Sequence, residues 1–106
     1  MKLLFVCNLG ENRSRTAKEL FSGKFDTESC GAYDEKNRMT AELLDWADVI
    51  FVMEEHHRSF ISRNYPKQYM AKRIINLGVP DSYRYNQPEL IGLLKTRINK
   101  WLKVIK

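Results

Sequence analysis

Long apolar runs are missing from this chain. None approaches the roughly 18 residues that a membrane-crossing helix requires, so membrane insertion is not expected. The N-terminus reads MKLLFVC, where one lysine precedes only five apolar residues, Leu3 to Cys7. That is too short for the apolar core of a secretory signal, and no small-residue cleavage site follows. Cysteine is scarce as well. Cys7 and Cys30 can form at most one disulfide, a poor framework for a secreted domain but ordinary in a reducing compartment. These absences point to a cytoplasmic protein with free thiols. Internal repeats, low-complexity tracts and linkers are also lacking, and 106 residues suit one small domain, residues 1–106.

What is present is a globular composition, 43% hydrophobic and 29% charged. Eighteen Lys plus Arg against thirteen Asp plus Glu give a formal charge of +5, which favours anionic partners without choosing among phosphoesters, nucleic acid and acidic proteins. The cluster Arg58, Arg63, Lys67, Lys72 and Arg73 reads as a solvated face, so nucleic acid is not the expected partner. His56 and His57 are adjacent at a helix start, diverge by about 100°, and make a poor metal pair. No metal or other cofactor is expected.

Three short apolar runs, Leu3 to Val6, Val49 to Met53 and Ile74 to Leu77, are rich in branched or aromatic residues, as strands covered on both faces tend to be. A weaker strand covers Thr27 to Cys30, ended by Gly31. Helical patterns lie between them: Ala17, Leu20 and Phe21, then Leu43, Leu44 and Ala47, then Phe60 and Ile61. The last is the clearest, with Leu90, Ile91, Leu94, Ile98, Trp101, Leu102 and Ile105 on one stripe after Pro88, a residue favoured at helix starts. This alternation predicts an α/β fold, a doubly wound four-stranded parallel sheet in three layers with right-handed crossovers. In such sheets ligands bind beyond the carboxyl ends of the strands, where Cys7 and Asp81 fall.

The stretch VCNLGENRS, Val6 to Ser14, leaves a strand and enters a helix. With Gly10 inside, such a loop can turn successive backbone N–H groups inward as an anion nest at a helix N-terminus. Asn8, Leu9, Gly10, Glu11, Asn12, Arg13 and Ser14 form the predicted phosphate cradle. Arg13 adds a planar fork able to hold two phosphate oxygens at once. Cys7 sits at the base, where the same positive potential favours the nucleophilic thiolate.

These residues carry a resemblance. CNLGENRS is similar to the C-x5-R-S loop of the low-molecular-weight protein tyrosine phosphatases, and VPDSY is similar to that family's Asp-Pro-Tyr acid segment except at its middle residue. Met53 and Glu54 resemble its Met-Asp pair, and the likeness spans the chain, which looks closest to a compact bacterial branch. The resemblance implies a phosphotyrosine phosphatase I-like fold and hydrolysis of aryl phosphomonoesters such as protein phosphotyrosine. Cys7 would attack phosphorus and become a phosphocysteine, Arg13 and the loop amides would hold the equatorial oxygens, and Asp81 would protonate the departing phenolate. Asp81 would then activate water, while Ser14 would stabilise the Cys7 thiolate. Tyr33 and Tyr83 would line the pocket and stack on the substrate ring. Phosphate and sulfate would bind the same cradle. The chain departs from the family at Gly10, where asparagine is usual, at Arg15, where proline is usual, and at Glu11, where no acid is found. Cys30, usually alanine there, reads as core. Rival readings are an arsenate reductase, a sugar-phosphotransferase-type phosphocarrier, and a phosphate-binding module without turnover.

Overall fold

The computed structural model describes residues 1–105. Four strands, β1 (Lys2–Cys7), β2 (Asp26–Gly31), β3 (Val49–Val52) and β4 (Arg73–Asn76), form one sheet in the order β2-β1-β3-β4. Every pairing is parallel, with Val6 opposite Cys30 and Cys7 opposite Gly31 on one side of β1, and Val6 opposite Val52 on the other. The helices are α1 (Arg13–Phe21), α2 (Ala41–Trp46), α3 (Glu55–Asn64), α4 (Pro66–Ala71) and α5 (Pro88–Ile105).

Alternation along each strand divides the core into two layers. Leu3, Phe5, Val49 and Phe51 face Ala17 and Phe21 of α1 and Leu90, Leu94, Ile98 and Leu102 of α5. Leu4, Val6, Ile50 and Val52 face Leu44 of α2 and Ile61 of α3. The sheet is therefore covered on both faces, which is why β1 and β3 read as unbroken apolar runs. This is the three-layer α/β architecture expected from the sequence.

Two details differ. The sequence pattern contains no α4, which Pro66 creates: without an N–H it ends α3, and its fixed φ starts a new turn at the first helical position. Trp101 does not join the buried stripe of α5. The stripe runs Leu90, Leu94, Ile98, Leu102 at a spacing of four, and Trp101 falls beside it, 39% exposed. Among the described residues, no helix is long and apolar enough to cross a membrane.

Candidate active site

The segments leaving the carboxyl ends of β1, β2 and β4 line one cavity of about 350 Å³, with Cys7, Asn8, Leu9, Glu11, Asn12, Arg13, Tyr33 and Asp81 on its walls. A larger hollow of about 560 Å³ near Thr40 and Trp46 is lined by neither a cation nor a thiol.

The loop from Asn8 to Asn12 is drawn tightly over the end of β2. Gly10 has φ +72°, the left-handed region that glycine enters freely, and a Cβ there would come within 2.9 Å of the Cys30 and Gly31 backbone. Gly31 in turn lies against the loop from below, since a Cβ on it would approach Leu9 backbone carbon to 2.5 Å. Tyr33 N–H donates to the Asn8 carbonyl at 3.0 Å and closes the arrangement.

This turn and the start of α1 set two polar groups against the Cys7 sulfur. The Gly10 amide donates to Sγ at 3.2 Å, and Ser14 Oγ, fully buried in the first turn of α1, lies 3.0 Å from it. Hydrogen bonds to sulfur favour the thiolate, the form that acts as a nucleophile.

Arg13 is 1% exposed and only half used. Its Nη1 donates to Glu54 Oε1 at 2.5 Å and to the Val79 carbonyl at 2.7 Å. Its Nη2 is buried without a hydrogen-bond partner and lies 3.7 Å from Asp81 Oδ1. Burying a guanidinium is costly unless it is paired, and Glu54 supplies the pairing. Partial burial would raise the Glu54 carboxyl, but hydrogen bonds from His56 and Arg13, with the Arg13 charge, outweigh it and hold Glu54 below the usual carboxylate range. Nη2 is left without a hydrogen-bond partner beside the cavity, which suits an anion.

Asp81 hangs over the opening, about half exposed, and its Oδ2 accepts from Asn8 Nδ2 at 3.1 Å. Tyr33 is half exposed at the cavity wall, stacked on His56 at 5.9 Å with 6° between the rings and hydrogen-bonded to His56 Nδ1 at 2.8 Å. Tyr83 is placed differently from expectation. It does not line this cavity but packs against the α1/α5 core layer, because the chain between Asp81 and Pro88 turns back toward α1, where the Asn86 amide donates to Thr16 Oγ1.

Cys30 is fully buried, and burial, followed by the neighbouring Cys7 charge, pushes its thiol up to about 12. It points into the α2/α3 layer, whereas Cys7 belongs to the other. Among the described residues no group of three or more His, Cys, Asp or Glu is placed to hold a metal ion.

Sequence reasoning left out the roles of Glu54 and the two histidines. Glu54 caps α3 in a reciprocal box with His57: the Glu54 side chain accepts from the His57 amide, and His57 Nδ1 accepts from the Glu54 amide. The Glu-x-x-His spacing was the available signal.

No protein-family model and no curated protein matches the chain. Solved structures do. A cysteine-to-serine mutant of the arginine phosphatase YwlE, with its active-site serine phosphorylated, is similar over 97% of this chain and 96% of its own, at 20% identity and a TM-score of 0.76. The tyrosine phosphatase Wzb from Escherichia coli K30, in complex with phosphate, is similar over 99% and 98%, at 22% identity and a TM-score of 0.73. The low-molecular-weight protein tyrosine phosphatase from T. tengcongensis is similar over 94% and 99%, at 21% identity and a TM-score of 0.72. The four-stranded parallel sheet with its two helical layers is thus the fold of the low-molecular-weight protein tyrosine phosphatases.

Proposed function

We propose that this chain, as a single domain of residues 1–106, is a cysteine-dependent phosphatase that hydrolyses aryl phosphomonoesters such as phosphotyrosine. One observation carries the reading: a buried Arg13 whose Nη2 has no hydrogen-bond partner lines the same cavity as a sulfur already accepting a hydrogen bond from Gly10. An arginine held at one nitrogen and open at the other is preorganised for the charge of a phosphoryl group in transfer.

In the first step the Cys7 sulfur attacks phosphorus, the P–O bond to the phenol breaks, and Asp81 gives its proton to the leaving oxygen. In the second, Asp81, now ionised, takes a proton from water, water oxygen bonds to phosphorus, and the S–P bond breaks to release phosphate and the thiolate. Ser14 and the Gly10 amide stabilise that thiolate as the leaving group. Tyr33, exposed at the mouth, is the surface on which an aromatic leaving group stacks. The same fold serves the arginine phosphatase YwlE and the tyrosine phosphatase Wzb, whose structure holds phosphate.

The rival readings fit less well. A reductase passing oxidation between cysteines needs a second thiol within reach, and Cys30 faces the opposite layer. A phosphocarrier must keep water from its phosphocysteine, yet Asp81 stands half exposed at the opening. A cytoplasmic setting suits two unpaired thiols.

The test is hydrolysis of aryl phosphates of graded leaving-group pKa, with phosphotyrosine and phosphoarginine included, by wild type and Asp81→Asn. The expected result is turnover inhibited by vanadate and lowered about 10²- to 10⁴-fold by the substitution for phosphotyrosine, less for activated esters. Tight vanadate binding without turnover would leave a binding module, and preference for phosphoarginine would overturn the aryl assignment.

A further inference from the structure

A line of hydrogen bonds runs from the start of α3 to Asp81, and its direction can be worked out donor by donor. The Glu54 amide can only donate, and it lies 3.0 Å from His57 Nδ1, so Nδ1 carries no proton. A neutral imidazole then bears its proton on Nε2, which lies 2.7 Å from Asn8 Oδ1 and donates to it. Asn8 is thereby fixed with its amide nitrogen toward Asp81, where Nδ2 meets Oδ2 at 3.1 Å. The two oxygens of Asp81 are no longer equivalent. A carboxyl group's carbonyl oxygen is a better acceptor than its hydroxyl oxygen, so a donor held on Oδ2 leaves the proton to Oδ1. Oδ1 is the oxygen 3.7 Å from Arg13 Nη2, and a phosphoryl group bound by that nitrogen would take the guanidinium from Oδ1 and leave this oxygen facing the substrate.

We infer that His57 and Asn8 are positioning residues that orient Asp81 and place its proton on Oδ1, the oxygen facing the phosphoryl group. The assignment rests on the phosphatase reading and deepens it. His57 is suited to the task because it is fully buried and cannot reverse its direction by gaining a second proton: burial, then the nearby His56 and Arg13 charges, push it down to about 3. The nearby Glu54 carboxylate opposes this and is outweighed.

The experiment compares wild type, His57→Leu, His57→Gln and Asn8→Leu, each alone and combined with Asp81→Asn, on aryl phosphates of graded leaving-group pKa. Folding of each is checked by thermal melting. His57→Leu and Asn8→Leu are expected to lower kcat about 10-fold for phenolic leaving groups, a part of what a general acid supplies, and less for activated esters, with KM little changed in His57→Leu, which lies outside the cavity lining. His57→Gln, whose amide N–H can reach Asn8, should recover most of the loss, and none of the three should cost anything further once Asp81 is Asn. Losses equal for every leaving group, or additive with Asp81→Asn, would overturn the assignment. Imidazole ¹⁵N spectra give a readout independent of turnover. They should show neutral, Nε2-protonated His57 in wild type, and an Nδ1-protonated ring would sink the inference even in an active enzyme. A wild type that turns nothing over but shows the expected tautomer would refute the phosphatase reading and leave the hydrogen-bonded line standing.

Discussion

Cys7 and Cys30 lie almost side by side, at the ends of neighbouring strands, and both are buried, at 3% and 0% exposure. They differ in everything that matters to a thiol. Cys30 is opposite Val6 in the ladder, so it shares that residue's face and sits among aliphatic side chains of the α2/α3 layer. Cys7, one residue further along, faces the other way and meets the Gly10 amide and the Ser14 hydroxyl. Burial alone makes a thiol inert, as the rise of Cys30 to about 12 shows. Cys7, buried almost as deeply, instead has polar groups set against its sulfur. One step along a strand separates a packing residue from the proposed nucleophile.

The largest expected effect breaks the pair apart directly. Cys7→Ser should lower aryl phosphate turnover on the order of 10⁴-fold or more, whereas Cys30→Ala should keep turnover and lose about 1 kcal/mol of stability as a small cavity opens. Comparable loss of activity in both variants would show that the contrast is not chemical. Alkylation sharpens it further. In the native protein iodoacetamide should modify Cys7 about 10-fold or more faster than Cys30, with phosphate protecting Cys7, and the two should react alike once the chain is unfolded. Peptide mapping of the labelled protein checks this.

A further effect concerns the polar end of the sheet as a whole. An unfolded chain protonates His57 near its ordinary value of 6.5, while the folded protein holds it at about 3. The unfolded state therefore binds more protons across that interval. Stability is complete above about pH 6.5 and falls as pH drops toward 3, by at most about 1.4 kcal/mol per unit from this residue. Thermal melts from pH 7 to 4 should show that slope, and His57→Gln should flatten it; an unchanged slope in the variant would remove His57 as its source.

The fold was largely legible because β1 and β3 are covered on both sides, so Leu3 to Val6 and Val49 to Val52 leave unbroken apolar runs in the sequence. The last helix was legible from its spacing, with Trp101 misplaced because a one-residue step turns a side chain by about 100°. Helix α4 was not, since PKQYMA buries no residue fully, packs only Tyr69 against the core and carries no periodic stripe. In the site, Cys7, Arg13 and Ser14 could be grouped from their spacing, and the structure does bring them together with Asp81. The sequence marks Glu54 only as a family likeness, not as the partner of Arg13, and offers His57 only as half of a poor metal pair. Their roles depend on side chains meeting across 41 and 49 positions of sequence, which local patterns do not encode. Tyr83 was misjudged for the same reason: its distance from Asp81 in sequence is short, but the turn between them is set by contacts with α1.

Arg13 touches the Val79 carbonyl across 66 positions, and Asn8 touches Asp81 across 73. Every segment from β1 to β4 must therefore be in place before the guanidinium is half tethered and the carboxylate is over the opening. Parallel strands make this closure late, since each crossover must be drawn in before its ladder forms. A nascent or nicked chain lacking β4 would carry the cysteine, the loop and the arginine, yet present them unassembled. Under the proposed function, hydrolysis would double as a gauge of completed folding, and a lesion that keeps β4 from docking would register as lost turnover even when it touches no group in the cavity.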